Sequence, residues 1–160
     1  MNLIIREART SDLDRLMAIE KETFPPEEAA ERGTFEYRIL NFREWFLVAE
    51  TDGLLVGLIN GRTTKMNAIE DELYEPNEVI SGEYFALLCV ETDPLWQRNG
   101  IASTLINYVI NQAKNDGLKG IILACKDVLI PYYKKLGFEL VGVSESIHGG
   151  AVWYDMQMLF

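Results

Sequence analysis

The pattern of hydrophobic and polar positions divides the first third of this chain into a strand, two helices and a hairpin. "NLIIREAR" at residues 2–9 alternates weakly, as a strand does, and is followed by four apolar residues at helical spacing: Leu13, Leu16, Met17 and Ile19. The pair Pro25-Pro26 must end this helix near Phe24, because proline cannot continue a helix. A second helix is expected over residues 27–41, although Gly33 weakens it.

A hairpin and a parallel crossover come next in the pattern. "WFLVAET" and "LLVGLINGR" flank Asp52-Gly53, a dipeptide that supplies the positive φ angles of a two-residue hairpin turn. The runs "EYFALLCVET" and "GIILAC" are almost wholly apolar, as expected for strands covered on both faces. Between them, apolar residues at helical spacing predict a helix over residues 99–116. A strand, a helix and a strand with this burial predict a right-handed parallel crossover.

The last part of the chain predicts one more short helix and two strands. The helix is expected over residues 127–136 and the strands over residues 138–144 and 151–159, with a turn at His148. A chain of 160 residues buries one hydrophobic core, so residues 1–160 are expected to form a single domain. The fold class is α/β, with a mixed sheet that is antiparallel on its N-terminal side and parallel in the middle.

Composition excludes several classes of function. The 15 Lys and Arg are scattered among 25 Asp and Glu, and the formal charge of −10 argues against nucleic-acid binding, which requires a clustered basic face. Such an acidic surface either attracts cationic amines or merely keeps the protein soluble. The first residues lack a signal-peptide pattern, and no uncharged run approaches the roughly 18 residues of a membrane span. A cytoplasmic protein without a membrane partner is therefore expected.

The two cysteines point to packing and not to chemistry. Cys89 and Cys125 lie inside apolar runs, without a CxxC motif or a neighbouring His. A buried reduced thiol is the interpretation that this setting favours over a disulfide, a metal pair or a nucleophile. No metal site is therefore expected.

The stretch "TDPLWQRNGIASTLINYVI" at residues 92–110 is the first candidate for a binding site. A helix start offers unsatisfied N–H groups and the positive end of the helix dipole, so a glycine-containing loop leading into one suits an anion. Gly100 would let the backbone approach a phosphate closely, and Arg98 would add positive charge. The loop has neither the Gly-Lys-Ser/Thr of a P-loop nor a GxGxxG motif. An ordinary strand-to-helix turn remains the alternative.

Two motifs resemble the signatures of the GNAT superfamily of N-acetyltransferases. The pattern Gln97-x-x-Gly100-x-Ala102, after an apolar strand and before an amphipathic helix, is similar to that superfamily's acetyl-CoA pyrophosphate loop, Q/R-x-x-G-x-G/A. "PYYKKLGFELVG" at residues 131–142 resembles its second signature, a Tyr followed by the Gly-Phe that opens the next strand. The predicted element order also matches the GNAT fold, whose sheet has about seven strands, mostly antiparallel with one parallel pair, and about four helices.

Within the superfamily, the arylalkylamine (serotonin) N-acetyltransferase-like group shows the greatest resemblance. "AIEKETFPPEEA" at residues 18–29 is similar to the E-x-E-x-x-F segment and acidic pair of its bacterial members. "ACKDVLIPYYKKLGF" resembles the C-E-D-A-L-x-P-F-Y stretch of this group, and the ending "WYDMQMLF" its last strand. The resemblance implies an acetyl-CoA-dependent transfer to a small primary amine.

The resemblance also implies the site residues. The pantetheine arm of acetyl-CoA would lie along the strand, and the backbone N–H groups of the loop would take the pyrophosphate. The implied cofactor-binding residues are Cys89, Val90, Glu91, Thr92, Gln97, Arg98, Asn99, Gly100, Ile101, Ala102, Ser103 and Tyr133. Tyr133 matches the GNAT tyrosine that protonates the departing thiolate, and the backbone N–H near Val90 would stabilise the oxyanion.

The general base departs from the family pattern. The strand position that carries a Glu in many GNAT enzymes is Ala86 here, and a second base position is Leu88; neither side chain accepts a proton. His148, the only His, suits a turn better than a base. The remaining catalytic candidates are first Glu27 and Glu28, in a corner that resembles the place where insect arylalkylamine enzymes hold a catalytic Glu, and then Glu22 and Glu83. These acids could instead only charge a helix start.

Three functions therefore remain open from the sequence. The first is acetyl transfer to a small amine, with six aromatic residues available for an acceptor pocket: Phe24, Phe35, Tyr37, Trp45, Tyr84 and Trp153. The second is the same chemistry on a protein N-terminus or lysine. The third is an acyl-CoA sensor that has lost its base. A monomer or a homodimer suits each of them, and the irregular segment 64–82 is a candidate lid.

Overall fold

The computed structural model describes residues 1–77 and 81–160, so part of the predicted lid, residues 78–80, lies outside the described residues. The described strands are β1 (Ile4–Glu7), β2 (Phe46–Thr51), β3 (Leu54–Thr64), β4 (Tyr84–Thr92), β5 (Gly120–Cys125), β6 (Glu139–Val143) and β7 (Tyr154–Leu159). The described helices are α1 (Leu13–Thr23), α2 (Arg32–Asn41), α3 (Ile101–Asn115) and α4 (Ile130–Lys135). No described helix combines the length and the apolar character that crossing a membrane requires.

The strands form one mixed sheet in the order β1-β2-β3-β4-β5-β7-β6. β4 and β5 are parallel, whereas the pairs β1–β2, β2–β3, β5–β7 and β6–β7 are antiparallel. At the hairpin between β2 and β3, Asp52 has φ 49° and Gly53 has φ 78°, as a two-residue turn with two positive φ angles requires. The α/β prediction and the predicted hairpin are confirmed.

The chain divides into two compact units, of which the first comprises residues 1–61 and 89–109. Its core is built where the apolar faces of α1 and α2 meet β2, β3 and the end of β4. The largest buried side chains of this core include Leu16, Ile19, Phe35, Phe46 and Leu58. The helical stripe predicted for α1 is therefore its buried face, except that Met17 is only partly buried.

The second helix begins later than predicted, at Arg32 and not at residue 27. Phe24 is extended, with φ −120° and ψ 146°, as expected before a proline. The Pro25 carbonyl then accepts the N–H groups of Glu28 and Ala29, which makes one closed turn. The turn does not propagate because the next N–H, that of Ala30, is donated to a side chain of α1.

The second unit comprises residues 62–88 and 110–160. Its apolar cluster contains Ile69 and Leu73 from a short segment before β4, Ala86 from β4 and Ile122 from β5. β7 begins at Tyr154, three residues later than predicted, because residues 148–150 form a 3-10 turn and residues 151–153 have no regular structure. β6 is a terminal strand of the sheet, and its register with β7 shifts between Leu140 and Gly142.

Candidate active site

The loop that enters α3 begins at Asp93, which is held by Arg15 of α1 and by the Val56 carbonyl of β3. The Asp93 carboxylate accepts the N–H of Leu95 at 2.9 Å and forms an ion pair with Arg15. Arg15 also donates to the Leu55 carbonyl at 3.1 Å, and the N–H of Asp93 is donated to Val56 at 2.8 Å. The loop therefore leaves β4 from a firmly held position on β3 and α1.

Backbone conformation makes the following segment suitable for an anion. Arg98 has φ 66° and Gly100 has φ 74°, and both residues are exposed. Asn99 lies between these two left-handed residues and donates its amide to the carbonyls of Trp96 and Gln97 at 2.9 and 3.2 Å. Gly100 is followed directly by the right-handed first residue of α3, Ile101, and such a pair of left- and right-handed residues turns successive N–H groups toward one side, which is a common anion-binding arrangement. The loop opens directly into α3, which has 15 residues.

The first residue of α3 is locked against β3. Ile101 is buried, with 2% of its surface exposed, and it lies over Gly57. A Cβ atom on Gly57 would lie 2.7 Å from the Ile101 Cγ2 and 3.1 Å from the Glu91 carbonyl oxygen. The absence of a side chain at position 57 therefore sets the position of the helix start and of the loop before it.

The end of β4, which the sequence predicts as the cofactor strand, carries an unexpected polar cluster. Glu91 is 3% exposed, and its carboxyl group lies beside that of Glu20 on α1: one oxygen of each group and the Cys89 sulfur all lie within 4.8 Å of one another. The Cys89 thiol lies 3.0 Å from Glu91 Oε1 and 3.8 Å from Glu20 Oε1. The Thr23 hydroxyl lies 3.3 Å from Glu91 Oε2. We call Glu20, Thr23, Cys89 and Glu91 the buried acid cluster.

Burial changes the acidity of this cluster. Removal from water, followed by the hydrogen bond and the charge of Glu20, raises the pKa of Glu91 to about 9. Burial and the charge of Glu91 raise the pKa of Cys89 well above its usual range. Glu91 is therefore a neutral acid at pH 7 and Cys89 is a thiol, as the sequence predicted for a packing cysteine.

The two predicted base candidates differ in exposure. Glu27 is exposed, whereas Glu28 is 8% exposed. Both lie in the turn that is closed by the Pro25 carbonyl. The end of this turn is attached to α1, because the Ala30 N–H is donated to Glu20 Oε2 at 2.7 Å.

Ala86 and Leu88 are the β4 positions at which the resemblance would place a general base, and in the second unit both lie among apolar side chains. Ala86 is fully buried, and Leu88 packs at the margin of the same apolar cluster. The parallel pairing of β4 with β5 covers residues 84–86 against residues 120–122. In the described pairing it ends there, although β5 continues to Cys125.

Tyr133 lies in α4 and is 6% exposed. Its ring makes edge contacts with Tyr132 at 5.3 Å and with Phe138 at 5.7 Å between ring centroids. Its carbonyl accepts the N–H of Phe138 at 3.1 Å. The second sequence signature is thus a compact element in which the tyrosine and the following Gly-Phe are packed together.

The predicted lid segment is joined to the β6–β7 connection. The Asp71 carboxylate accepts the Ser146 hydroxyl and the Ile147 N–H. The His148 ring stacks on Tyr74 at 4.7 Å, and the Trp153 indole donates to the His148 carbonyl at 2.8 Å. His148 is a turn residue, as predicted.

Three of the six aromatic residues predicted for an acceptor pocket are buried: Phe35, Trp45 and Trp153, the last of which is 8% exposed. Phe35 is fully buried and packs edge-on against Phe46, and Trp45 is 3% exposed. Phe24, Tyr37 and Tyr84 are half-buried. Sequence reasoning also missed the side chain of Glu91, although a signal was available: Glu91 is in phase with Leu87 and Cys89 on an apolar strand, and a buried acid requires a partner.

Comparison with known proteins identifies a family for this arrangement. The model of the family described as "Acetyltransferase (GNAT) family" matches residues 11–138. This range contains the loop, the end of β4 and Tyr133. A comparison with curated protein sequences gives no match.

Solved structures share the fold at low sequence identity. Naa50 from Arabidopsis thaliana, in complex with the bisubstrate analogue CoA-Ac-MVNAL, has a TM-score of 0.78 at 19% identity over 100% of both chains. The GphF GNAT-like decarboxylase in complex with isobutyryl-CoA has a TM-score of 0.77 at 21% identity over 98% of both chains. PaiA N-acetyltransferase from Thermoplasma acidophilum, in complex with coenzyme A, has a TM-score of 0.75 at 18% identity over 100% of both chains.

Proposed function

The chain belongs to the acetyltransferase (GNAT) family, and on this premise we propose that it transfers an acetyl group from acetyl-CoA to a primary amine. A small arylalkylamine is the acceptor that the sequence resemblance favours. We further infer that residues 1–160 act as one domain, as a monomer or homodimer in the cytoplasm, without a metal, a membrane or a nucleic acid.

The observation that carries this proposal is the loop before α3. Two exposed left-handed residues, Arg98 and Gly100, precede the N-terminus of a 15-residue helix whose first residue is held by Gly57. Such a helix start binds a diphosphate through backbone N–H groups, to which the Arg98 side chain adds charge. The pyrophosphate of acetyl-CoA would be held by residues 97–103. The CoA-type ligands of the three structural neighbours support the same ligand class.

The pantetheine arm would pair with the backbone of β4. Residues 89–92 follow the point at which the pairing with β5 ends, so this edge of the strand can accept another hydrogen-bonding partner. An amide-containing chain is suited to such an edge because it alternates donors and acceptors as a strand does. Contacts with backbone groups also explain why Val90 and Thr92 need no special side chains.

The chemistry requires three groups. The neutral amine attacks the thioester carbonyl, the C–S bond breaks, and the amine loses a proton while the CoA thiolate gains one. We assign Tyr133 as the acid that protonates the thiolate, and the Val90 N–H as the oxyanion donor. Glu28 and Glu27 are the candidate bases, of which the buried Glu28 is better shielded from water.

Two alternatives have observations in their favour. Ala86 and Leu88 lie in an apolar cluster, which suits an acyl-CoA sensor that binds the cofactor without turnover. Naa50 is bound to a peptide-bearing bisubstrate analogue, which suits a protein N-terminus or lysine as the acceptor. The lack of a base at Ala86 does not by itself favour the sensor, because a water chain could remove the proton of the amine, or the amine could arrive already neutral.

The first experiment is acetyl-CoA-dependent thiol release over a panel of arylalkylamines, polyamines, amino acids and lysine or N-terminal peptides at pH 7 and pH 9. Release with an arylalkylamine supports the proposal, and release with peptides alone moves the function to protein acetylation. Binding of acetyl-CoA without release over the whole panel supports the sensor.

The binding loop is tested separately by Gly100→Glu. Its side chain places a negative charge beside the proposed pyrophosphate, and the substitution forces a non-glycine residue to φ 74°. Acetyl-CoA should bind at least about tenfold more weakly by calorimetry, a loss of about 1.4 kcal/mol. Unchanged affinity would show that the loop is misinterpreted.

A further inference from the structure

The second unit holds a buried carboxyl oxygen at Asp155 on β7. Asp155 as a whole is half-buried, but its Oδ1 atom is shielded from solvent and has no hydrogen-bonding partner among the described residues. Burial raises the pKa of Asp155, the Ser144 hydroxyl lowers it, and the negative charge of Glu145 raises it. A carboxyl oxygen taken out of water is costly unless a donor compensates for the lost hydration. The second unit thus offers an acceptor atom to a donor from outside.

The neighbours of Asp155 across the strands are small. Ala124 of β5 lies directly opposite it on one side, and Gly142 of β6 lies opposite it on the other. Residues directly opposite each other in antiparallel strands share a face of the sheet, so the carboxyl group has only a methyl group and a hydrogen atom beside it. A Cβ atom at Gly142 would meet nothing within 4 Å. This face therefore has room for a small ligand group next to Asp155.

Aromatic rings lie on the same face, one step along the ladder between β6 and β7. The Trp153 carbonyl accepts the Ser144 N–H at 2.8 Å, which extends the ladder by one residue beyond Tyr154. Trp153 is therefore in phase with Asp155, roughly 7 Å away along the chain. The Trp153 ring lies 6.1 Å from the His148 ring, measured between centroids. The carboxyl group thus has aromatic rings on one side.

An ammonium group already lies on one of these rings. The Lys126 ammonium is 5.7 Å from the centroid of the Trp153 ring, which is the distance of a cation–π interaction. Lys126 directly follows Cys125, the partner of Tyr154 in the ladder, and so lies across from Trp153. A carboxylate and an aromatic ring are the two side-chain groups that recognise organic ammonium ions. Asp155 and Trp153 supply one of each.

The same face carries the β4 position from which the family base is missing. Ala86 of β4 pairs with Ile122 of β5, and Ala124 packs against the apolar cluster that contains both. Asp155 lies opposite Ala124 and thus two strands away from β4, roughly 10 Å or more from Leu88 at the usual spacing of strands. A carboxylate at that distance does not reach a nitrogen that reacts beside Leu88. It is suited to a second positive charge on the same acceptor molecule.

We propose that Asp155 and Trp153 form a binding site for an ammonium group of the acceptor other than the one that is acetylated. The acceptor is then a diamine, of which one amino group receives the acetyl group and the other stays charged at Asp155. This inference rests on the proposed transfer to a primary amine and replaces the arylalkylamine, which the sequence resemblance favours, by an amine with two positive charges. The formal charge of −10 also attracts such a molecule.

The kinetic test compares two acceptors of equal chain length in the wild type and in Asp155→Asn. Putrescine has an amino group at each end of its carbon chain, and butylamine has one amino group only. The wild type should have the lower KM for putrescine. Asp155→Asn should raise this KM about ten- to a hundredfold, because a hydrogen bond to a charged group is lost, and should change the KM for butylamine far less. A merely structural role of Asp155 would affect both amines alike and would refute the proposal.

Glu145→Gln is the matched control for Asp155→Asn. It changes the net charge by the same amount, but Glu145 is exposed, and water and salt screen the effect of its charge. This variant should keep the wild-type KM for both amines. If Glu145→Gln raises the KM for putrescine as much as Asp155→Asn does, the general acidity of the surface attracts the diamine and the site at Asp155 is refuted.

Binding is measured without catalysis by carbon-detected NMR of the Asp155 carboxyl group at pH 7, with CoA in place of acetyl-CoA. Putrescine should shift this carbon signal in a saturable manner, whereas butanol, which has no charge, should not. The absence of a shift with putrescine would overturn the proposal. A change of the Asp155 signal in Lys126→Gln without any amine would also overturn it, because Lys126 would then be the cation that Asp155 binds.

Failure of this inference and failure of the proposed function are distinguishable. Saturable binding of putrescine at Asp155 without acetylation of any amine would support the ammonium site and refute the proposed function. Acetylation of putrescine and butylamine with equal KM, unchanged in Asp155→Asn, would support the proposed function and refute the ammonium site.

Discussion

The contact between Gly57 and Ile101 makes the position of the helix start testable by a single methyl group. In Gly57→Ala the new Cβ would lie 2.7 Å from the Ile101 Cγ2, 3.1 Å from the Glu91 carbonyl oxygen and 3.4 Å from Leu105 Cδ1. Two carbon atoms prefer about 3.5–4.0 Å, so Ile101 must retreat by roughly 1 Å. Because Ile101 is buried, the helix start and its N–H groups are expected to move with it.

The magnitude follows from overpacking. Extra methyl groups in a packed core cost about 1–3 kcal/mol, which urea unfolding would measure directly. A displacement of the N–H groups by about 1 Å is of the order that separates a good hydrogen bond from a poor one. We therefore expect acetyl-CoA to bind about tenfold more weakly by calorimetry, whereas the KM for the amine should change less.

Gly33→Ala is the matched control for this substitution. A Cβ at Gly33 meets nothing within 4 Å, and Gly33 lies in α2, where alanine stabilises a helix by about 0.5–1 kcal/mol. This variant should gain stability and bind acetyl-CoA as the wild type does. If Gly57→Ala also keeps full stability and affinity, the close contact does not position α3 and the reasoning is refuted.

Three further predictions concern the acid, the thiols and the lid. Tyr133→Phe should lower kcat by about 10- to 1000-fold at saturating substrate, and an unaltered kcat across the pH range would remove Tyr133 from catalysis. Cys89 and Cys125 should not react with a disulfide reagent at pH 8 in the native protein, because burial raises the pKa of both thiols, that of Cys125 to about 11. In denaturant, two reactive thiols should be measured. Rapid labelling of the native protein would contradict the burial of the two cysteines. Asp71→Asn should weaken the attachment of Ser146 and speed proteolysis between β6 and β7, an effect that equal cleavage rates would exclude.

The sequence predicted those elements whose cause is local. The turn at Asp52-Gly53 follows from the φ angles that this dipeptide tolerates, and the end of α1 follows from Pro25-Pro26. The apolar run of β4 and the amphipathic pattern of α3 also predict these elements without knowledge of the residues that pack against them. For the same reason the family motifs, which are short and continuous, could be recognised from the residues alone.

The parts that the sequence missed depend on distant partners. The start of α2 is set by a hydrogen bond from Ala30 to the side chain of Glu20, which helical periodicity does not contain. The pKa of Glu91 is raised because burial removes its carboxyl group from water and because Glu20, 71 positions away in the sequence, lies beside it in the fold. Helical periodicity also does not show which face of α2 is buried: Leu40 is 61% exposed, and α2 instead buries Arg38, which binds Asn60.

The terminal strand β6 determines how this protein will behave when it is concentrated and stored. It presents Val141 and Val143, 59% and 70% exposed, along an edge whose ladder is interrupted by the register shift next to Gly142. Open apolar edges join neighbouring molecules, and an irregular edge does so less readily. At neutral pH the charge of −10 keeps the copies apart, but this repulsion vanishes near the isoelectric point of about 4.6. Buffers near that pH should therefore precipitate the protein through β6, and preparations are best kept neutral.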